Sequence, residues 1–440
     1  MQKKLIVLAL AGLASSAAFA QTNVTIYGVI DEYIGYGSAS QNTLINPFAV
    51  PVFGVAPGAV IPGSGGNQKF SGLQSGGLSG SRLGFKGEEA LGNGLKAIFL
   101  YEFGSLDPSA NDNGIGSTRQ AYVGLNGKWG TFIGGKLQTP GYDAALKFDP
   151  MAASVFSPQL LISTNAGMTI QASSQGRVPN TIAYVSPNFS GFTGELVYSF
   201  GEQVTGTNWN GATLPVNAFG QAASNGFDKA QSVWGASLNY DNGPLAGSLA
   251  YHGLSNIGGT GNNPLAQNLK QTEFQVGLSY DFKLLKLFGS YQYIKQENFA
   301  TLGGGLSTAC GVLPLAAPAV LTGGSYGTCG LLNNNVKGNQ WNIGTAIPVG
   351  ANGAVKLAYT YYSNNIGNGI ANLIVDDQKA QSFGIDYEYS FSKRTTAYAG
   401  YNYINNGANT NYGYPASGVK VTPGIDENAW MVGAGVRHTF

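Results

Sequence analysis

Ionisable side chains are scarce in this 440-residue chain, and several recur on the polar faces of segments that alternate polar and apolar residues. Acidic and basic side chains that face each other across a water-filled passage create a field that orients dipolar solutes and discriminates between ions. Nine charged residues are candidates to line such a passage: Arg82, Lys86, Arg119, Lys136, Arg177, Asp31, Glu102, Asp143 and Asp149.

Catalytic chemistry has less support in the sequence. Hydrolysis usually requires a placed base, most often histidine, and the chain has two histidines, His252 and His438. Neither has a nearby serine and aspartate that would complete a catalytic group, so we do not expect an enzyme. Two histidines and two cysteines far apart in sequence form no metal-ligand cluster, and we expect neither a metal nor a cofactor.

The composition narrows the class of protein. Only 10% of the residues are charged, the formal net charge is +1, and 66 of the residues are glycine. Aromatic residues make up 12%, which is too many for a disordered chain. A collagen repeat is absent, and the lack of a basic stripe argues against nucleic-acid binding.

The N-terminus predicts export. Lys3 and Lys4 precede a short apolar stretch, and Ala18-Phe19-Ala20 forms a small-x-small cleavage site. We therefore predict a signal peptide over residues 1–20 and a single mature domain over residues 21–440. No later stretch approaches the about 20 apolar residues of a spanning helix, so the mature protein is either a soluble secreted protein or a membrane β-barrel.

The two cysteines, Cys310 and Cys329, lie in one segment rich in Gly, Ser and Leu. In an oxidising compartment we expect a disulfide between them, and two free thiols are the alternative.

Apolar residues recur with period two along most of the mature chain. Residues 274–282 read FQVGLSYDF, so Phe274, Val276, Leu278 and Tyr280 share one face while Gln275 and its alternate neighbours share the other. A strand sorts residues in this way, whereas a helix would scatter them around its circumference. Tyr, Phe and Trp cluster at the ends of the apolar face, as the aromatic girdles of outer-membrane barrels do.

Short and long connections alternate between these segments. Seven short turns and eight long loops join sixteen predicted strands, which is the rhythm of a barrel with short periplasmic turns and long extracellular loops. The predicted strands are 23–37, 81–89, 95–105, 119–126, 131–137, 180–186, 192–202, 231–240, 245–253, 271–282, 286–297, 336–348, 354–363, 378–391, 396–405 and 427–440.

Several segments resemble Gram-negative general porins, and the betaproteobacterial branch in particular. The segments are NVTIYGVID at 23–31, SRLGFKGEEALGNGLKAIFLYE at 81–102, RQAYVGLNGKWGTFIGGK at 119–136, NTIAYVSPNFSGF at 180–192, YDNGPL at 240–245, SKRT at 392–395 and VGAGVRHTF at 432–440. These segments follow one another in order from residue 23 to residue 440, so the resemblance covers the whole mature chain. The ending fits because these porins close on a C-terminal phenylalanine, here Phe440, which would serve as the assembly signal.

The resemblance implies an all-β fold, a sixteen-stranded antiparallel barrel that assembles as a homotrimer in the outer membrane of a Gram-negative bacterium. Its third loop, here residues 138–179, would fold into the lumen and narrow the pore. In the family, wall arginines face acidic residues of this loop. The matching positions are Arg82, Arg119 and Arg177 on the wall, and Asp143 and Asp149 on the loop. Lys136 stands where the family often has arginine.

The implied function is passive diffusion of ions and small hydrophilic solutes, with a mild preference for anions. With Lys147 and Glu88 added to the candidates named above, six basic residues stand against five acidic ones. This difference is too small to decide the ion preference, which rests mostly on the resemblance. A substrate-specific channel for a sugar, carboxylate or peptide is the alternative, and an enzyme or a soluble adhesin is less favoured. Expected partners are outer-membrane lipid, lipopolysaccharide, and the barrel-assembly machinery through the C-terminal strand; no nucleic acid is expected.

Overall fold

The structure, a computed structural model, describes residues 23–41, 43–45, 60–62, 67–104, 118–200, 232–255, 270–297, 335–366, 378–407, 410–414, 419, 421–424 and 426–440. Cys310 and Cys329 and the predicted signal peptide lie outside these residues, so the disulfide and the cleavage remain predictions.

Antiparallel strands dominate the described part of the chain, and two short helices interrupt them. The elements are β1 Asn23–Ala39, β2 Thr43–Ile45, β3 Val60–Pro62, β4 Gln68–Ser75, β5 Arg82–Gly92, β6 Leu95–Gly104, β7 Thr118–Gly127, β8 Gly130–Gln138, α1 Pro140–Lys147, α2 Pro158–Asn165, β9 Arg177–Val185, β10 Phe192–Ser199, β11 Ser232–Asn242, β12 Leu245–Ser255, β13 Lys270–Asp281, β14 Lys286–Glu297, β15 Asn335–Val349, β16 Gly353–Ile366, β17 Lys379–Ser390, β18 Thr395–Asn406 and β19 Ala429–Thr439.

These strands close into a barrel. Seventeen of them form one sheet in which neighbours along the chain pair in turn, and β19 returns to pair with β1 from Val29↔Thr439 to Ala39↔Ala429. Phe440 and Gly28 exchange backbone hydrogen bonds at the seam. Both β4 and β5 pair with β1: β5 with its first half, residues 23–29, and β4 with its second half, residues 32–39. They therefore count as one interrupted wall strand, which gives the sixteen strands that the sequence predicts.

The second wall strand is longer than the sequence analysis predicts. Residues 68–75, assigned there to the first long loop, form β4, and the prediction of a strand over 81–89 alone was wrong. The two halves are separated by a turn over 76–81, where Gly76 has a φ of 86°. A backbone break of this kind is invisible to a period-two pattern.

The outer surface of the barrel is apolar and exposed. Leu196, Leu278 and Ile343 alternate with inward-facing residues and are more than half exposed, as a lipid-facing band requires. Aromatic pairs flank this band, for example the edge-to-face pair Tyr198–Phe200 at one end and the tilted pair Tyr280–Phe282 at the other. Among the described residues, no helix is both long enough and apolar enough to cross a bilayer.

The connection between β8 and β9, residues 139–176, is the inner loop; it folds into the barrel as the sequence analysis expects. Its helix α1 packs against β10–β13, and α2 packs against β16 and β17. Between the helices, Phe156 is fully buried, close to Tyr398, and the Val155 N–H donates to the carbonyl of Gly77. The inner loop therefore crosses the lumen to the turn between β4 and β5 and returns.

The inner loop fills one side of the lumen with a core of its own. Phe156, Ile162 and Met168 belong to a buried cluster that includes Tyr398 of β18 and Tyr414 of the last loop. Two glutamines of the wall hold α2 through its Ser163. The Ser163 hydroxyl donates to Gln292 of β14, and the Gln340 amide of β15 donates to Ser163 at 2.9 Å. Since this side is packed, open lumen remains between the inner loop and the wall formed by β5–β9.

Candidate pore constriction

The open side of the lumen carries a group of basic residues. Arg82 on β5, Arg119 on β7, Lys136 on β8 and Arg177 on β9 lie on neighbouring wall strands at a similar level. Arg82, Arg119 and Arg177 are close enough to one another for their charges to repel, and Lys136 is repelled by Arg177 in the same way. The structure thus brings together the three arginines that the sequence selected, with Lys136 near Arg177. The register opposite Ala121 gives Lys136 the outward parity of Val123, whereas the adjacent Leu137 is buried on the inner side.

A β-bulge aims Arg119 into the lumen. Gln120 pairs with Glu102 and Thr118 pairs with Phe103, so Arg119 is the extra residue between them. Strict alternation from the inward-facing Gln120 would turn Arg119 to the lipid side, but a bulge re-aims the side chain of the extra residue. The guanidinium reaches Glu102 instead, with Arg119 Nε donating to Oε1 at 2.7 Å.

Glu102 is the acidic centre of this group. Its carboxylate is 5% exposed and also accepts from the Tyr27 hydroxyl at 2.9 Å, while Arg82 Nε lies 3.5 Å from Oε2. Two arginines share one carboxylate. Glu102 therefore neutralises one of the two guanidinium charges and fixes the position of both side chains, and one positive charge remains uncompensated.

The inner loop faces this wall through α1. Thr139 caps the helix by accepting from the Tyr142 N–H at 3.1 Å, and Pro140 occupies its first turn, as helix N-termini favour. Arg177 crosses to the loop: its Nη2 donates to the Tyr142 hydroxyl at 2.7 Å, and its guanidinium lies 4.6 Å from the centre of that ring. This contact holds α1 at a fixed distance from the basic wall.

The exposed face of α1 presents Asp143 and Leu146 to the open lumen. The Asp143 carboxylate is open to lumen water, yet the barrel encloses it, and this enclosure raises the pKa of Asp143 to about 6, while Arg177 opposes the rise. Glu195 on β10 is close enough to Asp143 for the two carboxylates to repel each other. The loop side therefore offers two acidic groups to the four basic ones opposite.

Two acidic residues selected from the sequence are not in the constriction. Asp31 is fully buried and accepts from the N–H groups of Gly77, Leu78 and Ser79 and from the Tyr398 hydroxyl. Its charge holds the turn between β4 and β5, so the expectation that it lines the pore does not fit its position.

Asp149 is likewise taken up by structure. Its carboxylate is 4% exposed and accepts from the Met151 and Ala153 N–H groups and from the Ser157 hydroxyl at 2.6 Å. Burial raises the pKa of Asp149, and these hydrogen bonds oppose the rise. The residue shapes the tip of the inner loop and does not face the basic wall.

The remaining charges lie below the narrow region. Lys86 is exposed on β5, with its ammonium 5.4 Å from the Tyr27 ring centre. Glu88 pairs with Lys96 at 2.7 Å, and Lys147 pairs with Asp241 at 2.6 Å. Four basic residues, Arg82, Arg119, Lys136 and Arg177, thus remain at this level with three acidic ones, Glu102, Asp143 and Glu195, in place of the six against five counted from sequence.

The sequence analysis missed Tyr142 and Glu195 as site residues. Tyr142 could have been found from its place in the first turn of a helix opened by Thr-Pro, beside Asp143. Glu195 has inward parity on β10 and could have been found from that parity alone. In the part of the chain that the structure describes, no group of His, Cys, Asp and Glu is arranged to hold a metal ion.

Comparison with known proteins agrees with this geometry. Residues 6–409 match the Gram-negative porin family. The chain belongs to that family. It is 28% identical to outer membrane porin protein 32 of Delftia acidovorans and 29% identical to an outer membrane porin protein of Bordetella pertussis, in both cases over the full length of both chains.

Among solved structures, the fold is similar to that of the anion-selective porin from Comamonas acidovorans. The TM-score is 0.66 at 26% identity, covering 96% of this chain and all of the other. This porin is accordingly an outer-membrane β-barrel channel for passive diffusion. Its family is one of channels and not of enzymes. The identification as a betaproteobacterial type of porin from the sequence segments is confirmed.

Proposed function

We propose that this porin conducts anions in preference to cations. The observation that supports the proposal is the cluster of Arg82, Arg119 and Arg177, with Lys136 beside Arg177, at the level where α1 faces the wall and Glu102 is already bound by Arg82 and Arg119. An ion that passes between α1 and the β5–β9 wall meets the fields of Arg82, Lys136 and Arg177 with fewer opposing charges.

We expect a mild preference because water in the lumen screens the charges of the wall. Exposed charges about 4 Å from an ion in water change its energy by about 1 kcal/mol each, and salt screens them further. Asp143 and Glu195 offset part of the field. We therefore expect a permeability ratio of a few, which suits a diffusion channel for many small anionic solutes.

The test is the reversal potential of the purified, refolded chain in a planar bilayer with a KCl gradient. Conductance with a reversal potential of the sign for chloride supports the proposal, and the sign for potassium refutes it. Conductance blocked by low concentrations of one sugar or peptide would instead favour the substrate-specific channel. That alternative has little support on the open side of the lumen, where three inward aromatic rings, Tyr27, Tyr122 and Tyr142, lie in one cluster around Glu102 and Arg177 and form no line along the pore.

We also propose that three chains assemble into a trimer. Small residues on the outside of the strands near the two chain ends would permit close subunit packing, and Gly28, Gly124 and Ala434 are the candidates. Ala434 is exposed on the outer face of β19, whereas the Phe440 ring covers Gly28. Gly124 lies between Val123 and Leu125, which are exposed on the outer face, so its own parity is inward. Ala434 is therefore the best supported of the three. Single-channel openings in groups of three support a trimer, and single steps with a monomeric mass in mild detergent refute it.

Membrane partners follow from the same surface. The apolar band fits lipid and the acyl chains of lipopolysaccharide, and Phe440 at the barrel seam fits recognition of the last strand by the assembly machinery. Replacing Phe440 with alanine should lower the amount of porin in outer-membrane fractions, whereas replacing the lipid-facing Phe391 should not.

A further inference from the structure

Both ends of the inner loop lie over one pair of wall residues that the conduction path does not use. His252 on β12 and Glu273 on β13 are directly opposite each other across the two strands. Both are essentially fully buried. The start of α1, at Gly141, and the returning segment, at Thr169 and Ile170, contact this pair.

The hydrogen bonds define the protonation of His252. The Gly141 N–H donates to its Nε2 at 3.2 Å, so Nε2 must be unprotonated. Nδ1 therefore carries the proton and donates to the Thr169 hydroxyl oxygen, 3.0 Å away. The Thr169 hydroxyl in turn donates to Glu273 Oε1 at 2.8 Å. Only a neutral imidazole satisfies this directed chain.

Glu273 must accept from every neighbour that it contacts. Its two oxygens receive the Thr169 N–H at 2.8 and 3.0 Å, the Ile170 N–H at 2.9 Å, and the amide of Gln271. Such a set of donors suits an ionised carboxylate. No basic side chain forms an ion pair with Glu273 among the residues that the structure describes, so backbone N–H groups of the inner loop supply its stabilisation.

The packing around His252 leaves no room for rearrangement. A Cβ at Gly141 would lie 2.6 Å from the imidazole, and one at Gly235 would lie 3.1 Å from it. The groups that face the pair from β11, α1 and β14 are Gly235, Pro140, Gly141 and Ile294, none of which is ionisable. Tyr362 of β16 is a further titratable group within electrostatic range of Glu273.

We propose that His252 and Glu273 are positioning residues that form a proton-sensitive latch, holding both ends of the inner loop against the wall while His252 is neutral and Glu273 is ionised. A proton on His252 Nε2 turns that atom into a donor, so that it and the Gly141 N–H repel each other and their hydrogen bond is lost. A proton on Glu273 removes an acceptor from Thr169 or Ile170. Either event in acid frees one end of the loop, and the loop then moves within the pore.

The test is single-channel recording of the full-length, refolded porin while the pH is lowered from about 7.5 to about 2.5, a range that extends below the ordinary titration of carboxylates and imidazoles. We expect closing events to become at least about tenfold more frequent in acid, because one hydrogen bond to a charged group is lost. In His252→Gln the amide oxygen can still accept from Gly141 but cannot take up a proton, so part of the acid response should disappear. In Glu273→Gln, closings should be more frequent than in the wild type already at neutral pH, and the acid response that remains should be the part that His252→Gln removes.

The other histidine of the chain is a matched control. His438 lies at the outside of the barrel, with Nδ1 2.9 Å from the Thr395 hydroxyl, and His438→Gln should keep the wild-type acid response. Thr169→Val removes the linking hydroxyl from the loop without changing the wall, so it tests the latch even if Glu273→Gln does not fold. The proposal is overturned by a wild-type channel that is insensitive to acid, by an unchanged response in His252→Gln and Thr169→Val, or by loss of the response in His438→Gln.

Discussion

A pair of charge substitutions in the constriction tests how the pore discriminates between ions. Glu102→Gln removes the one carboxylate that Arg82 and Arg119 share, and Arg82→Gln removes one of the two guanidinium groups beside it. Glu102→Gln keeps the size of the side chain nearly constant, whereas Arg82→Gln shortens it and leaves a neutral amide in place of the guanidinium. They change the local charge by one unit in opposite directions, so their effects on selectivity should be opposite.

The size of the effect follows from Coulomb's law. An ion about 6 Å from the changed charge in water gains or loses about 0.7 kcal/mol. Because the sign differs between anion and cation, the two energies separate by about 1.4 kcal/mol, which is about tenfold in the permeability ratio. At 0.1 M salt, where the Debye length is about 10 Å, about half of this energy survives and about a fourfold change remains; at 1 M salt the change nearly vanishes.

The assay is the chloride-to-potassium permeability ratio from reversal potentials, measured at both salt concentrations. We expect the ratio to rise in Glu102→Gln and to fall in Arg82→Gln. Glu88→Gln is the matched control, because Glu88 lies further along the same inner wall, is half exposed, and pairs with Lys96. Equal shifts in Glu88→Gln and Glu102→Gln, a shift of Glu102→Gln toward cations, or shifts that persist at 1 M salt would refute the reasoning.

Three further outcomes follow from the same geometry. Since the pKa of Asp143 is raised to about 6, acidification through pH 6 should remove its negative charge and increase the anion preference, and Asp143→Asn should show the acid value at neutral pH; an unchanged pH profile in that variant would contradict the assignment. Phe156→Ala should cost the barrel about 3–5 kcal/mol of stability and should raise current noise, because Phe156 is fully buried at the loop tip, whereas the exposed Leu146→Ala should leave stability unchanged in thermal unfolding. Gly135→Ala should sharply lower refolding yield on a heat-modifiability gel, since a Cβ there would lie 2.0 Å from the Ala121 carbonyl; normal refolding would show that the β7–β8 pairing can shift, and Gly289→Ala, where a Cβ would lie 3.9 Å from the Asn342 carbonyl oxygen, is the control for glycine replacement.

The sequence by itself determined the barrel. Alternation of apolar and polar residues assigns each side chain to lipid or lumen within a strand, and alternation is a local property that any window of five residues reveals. It was therefore enough to identify the strands after the first loop, the aromatic belts, and the inward positions of Arg82 and Glu102. The length of residues 138–179, together with the family resemblance, was enough to identify the inner loop.

Only the tertiary structure decided which charges reach the pore. Arg119 faces Glu102 because of a bulge, which depends on how β7 pairs with β6 and not on the residues of β7 alone. Asp31 is withdrawn by the N–H groups of a turn 46–48 positions away in the chain, and Lys147 is withdrawn by Asp241, 94 positions away. His252 acquires its partners only when the inner loop folds onto the wall. Burial and pairing are set by contacts between distant segments, and local periodicity carries no information about the partners that barrel closure and loop docking bring together.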